Sequence, residues 1–270
     1  MNNDYKSIHP FFTIITVVYN SNDYIRPTVT SIIEQSINNI EYIIIDGAST
    51  DGTVDFLQNL KDDTVSIVLV SEKDNGIYDA MNKGIDLARG DYIIFMNAGD
   101  CFTDRDTLSL IHEHITSTDY PDFIYGDAIE INTSGERYYR PARSENRKQI
   151  GMFTHHQSML YKRGIIEQHK LHYDTSYKIA ADYKFTCEFL NHTSTLHYIS
   201  NPLSLFLQGG VSQRQWIQSM SEQIPIKREV LNMPAWKVYL VYAAQIAWHG
   251  IKEYLPWFYR AIRFRKNTHA

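Results

Sequence analysis

Four short stretches of this 270-residue chain end in side chains able to grip a polar ligand: Tyr19-Asn20, Asp46-Gly47, Ser71 to Gly76, and Asn97-Ala98-Gly99-Asp100. Each follows an apolar run. In an open parallel sheet the ligand crevice lies beyond the carboxyl ends of the strands, where the strand order reverses, so residues just after strands are the first candidates for binding. The chain carries neither G-x-G-x-x-G after its first run nor G-x-x-x-x-G-K-[ST] anywhere, and so lacks the usual backbone cradles for phosphate. A nucleotide here would be held by side chains and a metal.

The elements that must position these residues are legible in the pattern. Phe12 to Tyr19 (FTIITVVY) reads as a strand buried on both faces, and Tyr24 to Gln35 repeats apolar residues at helical spacing with Pro27 in its first turn. Ile40 to Asp46 gives a second strand, Thr53 to Leu60 a helix, and Val65 to Val70 a third strand. Ile77 to Ala88 is a helix ended by Arg89-Gly90, and Tyr92 to Met96 a fourth strand. The order is βαβαβαβ, an open, mostly parallel α/β sheet complete by about residue 100. Beyond it the signal is α+β and loop-rich, with strands at Phe123 to Ile131, Arg137 to Arg140 and His156 to Tyr161 and a helix at Ala181 to Leu190. No repeat or low-complexity linker separates the halves, so they are expected to share one core. Residues 1–212 read as one domain, divided near 105, and 213–270 as a helical, aromatic and basic extension.

Composition narrows the class. With 43% hydrophobic and 21% charged residues the chain can bury a real core, and its net charge of −5 offers no general basic surface for nucleic acid. Cys101 and Cys187 are too few for a disulfide framework, and neither cysteines nor histidines fall at zinc-type spacings. Met1 to Pro10 is polar with no apolar signal core, which implies a cytoplasmic protein. The greasiest segment, Ala235 to Ala247, is interrupted by Lys237 and Gln245, so no spanning helix is expected.

The succession TIITVVYN, EYIIIDGASTDGT and EKDNGIYDAMNKGIDLARGDYIIFMNAGD resembles glycosyltransferase family 2, the large GT-A family of sugar transferases in bacterial polysaccharide assembly, O-antigen, lipopolysaccharide and capsule among them. The likeness is close over the first 105 residues and looser, through HHQSMLYKRG and the helix bearing Asp182, to about residue 210. It implies a GT-A, Rossmann-like sheet with an acceptor-binding second half, and inverting transfer of a sugar from a nucleotide-sugar, usually a UDP-sugar, to a glycan hydroxyl.

The resemblance also implies roles. Asp46 would accept the ring N–H of the donor base, with Tyr19 stacked on or flanking it; otherwise Asp46 is an ordinary turn residue. Asp74, Asn75 and Gly76 match the loop that approaches ribose and diphosphate, where a helix N-cap is the plain alternative. The family's Asp-x-Asp, which holds a divalent metal on the diphosphate, is here Asn97-Ala98-Gly99-Asp100, so Asp100 alone would hold Mn²⁺ or Mg²⁺, with Asn97 beside it on the donor side. Asp182 matches the position of the general base, with an N-cap as its alternative. His155, His156 and Gln157 match a segment lining the acceptor side. Gly209-Gly210-Val211-Ser212 is a closing loop or a turn. Gln213-Arg-Gln-Trp216 departs from the Q-x-x-R-W of processive relatives, so polymer synthesis is not implied.

Two rival functions remain at this level. A sugar nucleotidyltransferase would need a Gly-rich basic loop after the first strand, which Tyr19-Asn20-Ser21-Asn22 is not. An idle sugar-nucleotide-binding subunit gains credit from the eroded Asp-x-Asp. The tail sets Trp257, Phe258, Tyr259 and Phe264 among Arg260, Arg263, Arg265 and Lys266, which reads either as a packed helical end or as an anchor on an anionic membrane surface. With a lipid-linked or free glycan as acceptor, the anchor would put the enzyme on the inner face of the cytoplasmic membrane.

Overall fold

The computed structural model describes residues 9–60, 62, 64–209 and 214–254. The first half alternates β1 (Phe12–Val18), α1 (Asn22–Ile33), β2 (Ile40–Asp46), α2 (Thr53–Gln58), β3 (Val65–Ser71), α3 (Ile77–Leu87) and β4 (Tyr92–Phe95), as the periodicity predicts. These strands run parallel in the order β3-β2-β1-β4. Register aligns Val18, Asp46 and Ser71 across the sheet, so the loops after β1, β2 and β3 open on one edge.

The two-sided burial of β1 and β2 follows from their side chains alternating between two helical layers. Ile15, Val17, Ile43, Ile45 and Phe95 face α3 and the later helices through Tyr78, Met81, Ile85, Phe185 and Phe189. Phe12, Ile14, Tyr42, Ile44 and Ile94 face the opposite layer through Ile25, Val29, Ile32, Leu108 and Ile111. Each such aliphatic or aromatic side chain removed from water stabilises the fold by about 1.5–3 kcal/mol.

The sheet does not stop near residue 100. It continues with β5 (Cys101–Phe102), α4 (Thr107–Ser117), β6 (Phe123–Ile131), β7 (Arg137–Arg140), β8 (Met159–Lys162), α5 (Arg163–His169), α6 (Ala181–Asn191) and β9 (Leu196–Leu207). β8 closes on the free edge of β4 antiparallel, and the order runs on through β6 and β9 to β5, with β7 beside β6, making nine strands among the described residues. The sheet is thus parallel in its first four strands and mixed beyond them, and the first core layer spans both halves, from Ile15 to Phe189 and Leu190. The strand expected from His156 begins later, because His156–Ser158 form a 3₁₀ turn and Met159–Lys162 the strand.

Among the described residues β9 is followed by α7 (Trp216–Glu229) and α8 (Ala235–Tyr254). Trp216 stacks on His249 at 4.2 Å, while Lys227, 2% exposed, donates to the Ile150 carbonyl at 2.8 Å and burial pushes its ammonium down to about 8. Gly210 to Gln213 and the aromatic and basic residues from 255 to 270 lie outside the described residues.

Candidate active site

The crevice is built by backbone turns that side chains fasten together. Asn20 has a left-handed φ of 46°, and it ties the β1 end to the β2 end: its N–H donates to Ser49 Oγ at 2.8 Å and its Oδ1 accepts from the Thr50 N–H at 2.9 Å. Tyr19 is left 63% exposed at the mouth. Asp46 is fully buried, and its carboxylate accepts from the Ser49 N–H at 3.0 Å, from Ser71 Oγ at 2.7 Å and from the Ser49 hydroxyl. The structure therefore gives Asp46 the work of closing the β2 turn. The exposed carboxylate on this turn is Asp51, which sequence reading passed over inside S-T-D-G; hydrogen bonds from the Thr53 side chain and the Asn22 N–H hold it below the usual carboxylate range.

Gly47 lies where the Tyr19 and Asp74 side chains come together. A Cβ there would stand 2.6 Å from Asp74 Oδ2 and 3.3 Å from Tyr19 Cδ2, so a larger residue would push the Asp74 carboxylate and the Tyr19 ring from their present places. Asp74 Oδ1 accepts from the Gly76 N–H at 2.9 Å in an Asx turn rather than capping α3, and Gly76 has a φ of 114°. Tyr19, Gly47, Asp74 and Gly76 thus share one mouth beyond β1, β2 and β3.

At the end of β4, the Asp100 N–H closes a turn onto the Asn97 carbonyl at 3.0 Å. Asn97 Oδ1 is buried with no partner among the described residues, and Asp100 is 6% exposed. Gln157 Nε2 donates to Asp100 Oδ2 at 2.5 Å and the Leu207 N–H to Oδ1 at 3.2 Å, while burial pushes the carboxyl up to about 7. Among the described residues no three His, Cys, Asp or Glu side chains gather as a cation site. The orphaned Asn97 oxygen and the Asp100 carboxylate are nevertheless both hard donors on one turn. They fit a divalent cation whose remaining ligands come from a diphosphate and water.

His155, His156 and Gln157 diverge. His155 stacks on Phe206 at 4.3 Å and meets Glu130 at 3.2 Å; Gln157 reaches Asp100. His156 lies in the aromatic core, stacked on Phe95 at 5.0 Å and hydrogen-bonded to Tyr173 Oη at 2.9 Å, with burial pushing its pKa down to about 4, so the imidazole is neutral. Glu130 sits at the centre of an unforeseen cluster. Burial opposes its charge, but hydrogen bonds from His155 and Arg140 hold it at about 2, and Gln208 adds a third at 2.7 Å. Asp127, also missed, is 1% exposed and accepts from the Ala142 N–H and Tyr198 Oη, both at 2.7 Å, and from Tyr139 Oη. Gly126-Asp127 inside an apolar strand was the available signal, since β6 is irregular there.

Asp182 stands in the first turn of α6 but is not its cap, a place taken by Ala180; its Oδ1 accepts from the Tyr183 N–H at 2.8 Å. Burial pushes its carboxyl up to about 6. Tyr78, two residues after Gly76, donates to the Ile179 carbonyl at 2.6 Å. That bond brings the start of α6 to the Asp74–Gly76 side of the crevice.

A model of glycosyl transferase family 2 matches residues 13–176, more than half of the chain. A PGL/p-HBAD biosynthesis glycosyltransferase of Mycobacterium tuberculosis is 28% identical over 223 residues, covering 80% of this chain and 85% of that protein. TuaG of Bacillus subtilis, a glycosyltransferase named for teichuronic acid biosynthesis, is 40% identical over 93 residues, 34% of this chain and 36% of its own. Among solved structures, TarS of S. aureus in complex with UDP superposes with a TM-score of 0.65 at 16% identity, over 86% of this chain and 70% of that one. The mannosyltransferase PcManGT of Pyrobaculum calidifontis, in complex with GDP-Man and Mn²⁺, gives 0.62 at 17%, over 90% and 75%. The fold is therefore GT-A, and the chain belongs to glycosyl transferase family 2.

Proposed function

We propose that this glycosyltransferase moves a sugar from a UDP-sugar to a glycan hydroxyl with inversion at the anomeric carbon. The observation that carries the reading is the Tyr78–Ile179 bond, which supports it by tying the start of α6, with the raised-pKa carboxylate of Asp182, to the helix that follows Asp74 and Gly76. Tyr19 would flank the base, and Asp74 with the open backbone at Gly76 would meet the ribose and diphosphate. Asp46 would serve the base through the β2 turn that its carboxylate holds in shape. Asp182 would take the proton of the acceptor hydroxyl as that oxygen bonds to the anomeric carbon and the bond to the diphosphate breaks, UDP leaving with the electron pair. A carboxyl at about 6 is mostly ionised at neutral pH yet still basic enough for that task. Asp100 and Asn97 would hold Mn²⁺ or Mg²⁺, whose chemistry is to neutralise charge on the departing diphosphate. His155 and Gln157 would border the acceptor; His156 supports them from the core.

The acceptor we propose is a lipid-linked glycan at the inner face of the cytoplasmic membrane. Helix α8 supports this with exposed Trp236 (69%), Leu240 (62%) and Tyr239 (54%) on one helical stripe. No helix among the described residues is long and apolar enough to cross a membrane, and residues 255–270 add Arg260, Arg263, Arg265 and Lys266 without an acid. The test of the chemistry is turnover: Asp182→Asn should lower UDP release by about 10²- to 10⁴-fold with UDP affinity little changed. Near-parent turnover in that variant would exclude Asp182 as the base.

A further inference from the structure

Helix α6 starts without a side-chain cap of its own. The N–H groups at such a start need acceptors, and for Ala180, with the two residues before it, another element supplies one. Glu222, on α7, accepts on Oε2 from the Ile179 and Ala180 N–H groups, both at 2.9 Å, and on Oε1 from the Lys178 N–H at 3.3 Å and Gln218 Nε2 at 3.0 Å. From the other side α3 grips the same segment through Tyr78 and the Ile179 carbonyl. Residues 178–180 are thus clamped between two helices, and Asp182 follows two residues later.

We propose that Glu222 is the positioning residue for Asp182: a carboxylate lent by the C-terminal helical pair fixes the turn that presents the base to the acceptor. This rests on the reading of Asp182 as general base. Carboxylate-to-backbone bonds are charge-assisted and roughly twice as strong as neutral ones, so three of them on consecutive residues hold the backbone tightly. Burial opposes the Glu222 charge, but the N–H groups of Ile179 and Ala180 outweigh it and keep its pKa below the ordinary glutamate value. The helix that carries Glu222 is itself seated by the Trp216–His249 stack and the buried Lys227.

Among the described residues four titratable groups face Asp182: Tyr78 from α3, Tyr161 from β8, Tyr173 from the loop before α6, and Glu222 from α7. Burial raises all three phenols, so between pH 5 and 9 only Glu222 of the four bears a charge. Glu222→Gln removes that charge and keeps one acceptor oxygen; Glu222→Ala removes the clamp.

The experiment uses the full chain. A ¹³C-carboxyl NMR titration follows Asp182, assigned through Asp182→Asn, and UDP release from UDP-glucose, UDP-galactose and UDP-GlcNAc gives kcat and KM. Glu222→Gln should lower the Asp182 midpoint from about 6 and cut kcat by less than Glu222→Ala does. Glu222→Ala should cut kcat by about 10-fold or more with donor KM unchanged, since displacing a reacting group by an ångström costs up to about 10²-fold. A lower melting temperature with parental kcat and an unmoved midpoint would mean a structural role only and would overturn the proposal. If Glu222→Ala does not fold, an unmoved midpoint in Glu222→Gln overturns it alone, and that titration needs no donor. Parental turnover in Asp182→Asn sinks the base reading and this proposal together; slow turnover there with fast turnover in Glu222→Ala sinks only the proposal.

Discussion

Replacing Asp182 by asparagine should make the protein more stable at neutral pH while disabling it. Burial raises the folded-state pKa of Asp182 from 3.8 to about 6. A carboxyl whose pKa is raised on folding favours the native state while it is protonated, below the unfolded value. That contribution is lost as pH rises through the folded value. A shift of about 2 units corresponds to about 3 kcal/mol between the two limits, an upper figure because the side chain retains some contact with water. Asparagine has nearly the same shape, carries no charge, and keeps an oxygen for the Tyr183 N–H that Asp182 now accepts at 2.8 Å. The variant should therefore match the parent near pH 4 and exceed it above pH 7, by about 5 °C or more in melting midpoint for a chain of this size. Paired thermal melts of variant and parent between pH 4 and 8, at one salt concentration, read this directly. A stability difference that does not change with pH, or a variant less stable at pH 8, would refute burial as the origin of the raised pKa.

Asp100→Asn should weaken UDP binding measured with Mn²⁺ by calorimetry and leave metal-free binding little altered; equal affinities with Mn²⁺ would remove Asp100 from the cation site. Gly47→Ala puts a methyl 2.6 Å from Asp74 Oδ2, so UDP affinity should fall by about 10-fold, roughly 1.4 kcal/mol, with the fold retained; unchanged UDP affinity would place the donor away from Tyr19 and Asp74. Trp236→Ser with Leu240→Ser should reduce co-sedimentation with anionic vesicles at low salt without lowering UDP affinity, and equal partitioning of the double variant would leave α8 no part in docking.

Much of the first half was legible in the sequence because each strand there is a continuous apolar run and each helix an amphipathic one. β2 falls at the predicted bounds of Ile40 and Asp46. The later half was harder to read for physical reasons. β9 is broken by Asn201-Pro202 and half-exposed along its length, so it shows neither a buried run nor clean alternation. α4 carries Leu108, Ile111 and Ile115 at helical spacing, but polar residues surround them, and their burial depends on the sheet behind. Motif order placed Tyr19, Asp46, Asp74, Asn97 and Asp100 at strand ends, which is where they stand. It could not reveal that Ser49 and Ser71 occupy the Asp46 carboxylate, nor that Gln157 reaches Asp100, because those contacts depend on side-chain packing between distant segments. Glu222 left no sequence signal at all: a glutamate in a polar helix is ordinary until the fold sets it against residues 178–180.

The central claim, sugar transfer with inversion from a UDP-sugar, is tested most directly by the first anomer formed. The full chain is incubated with Mn²⁺ and UDP-glucose, UDP-galactose or UDP-GlcNAc, each α-linked, with water standing in for the acceptor hydroxyl, and ¹H NMR spectra are taken before mutarotation. The account predicts that whichever donor is consumed first releases the β-sugar together with UDP, and that Asp182→Asn slows this release. Initial release of the α-sugar, or consumption of none of the three donors, would contradict it.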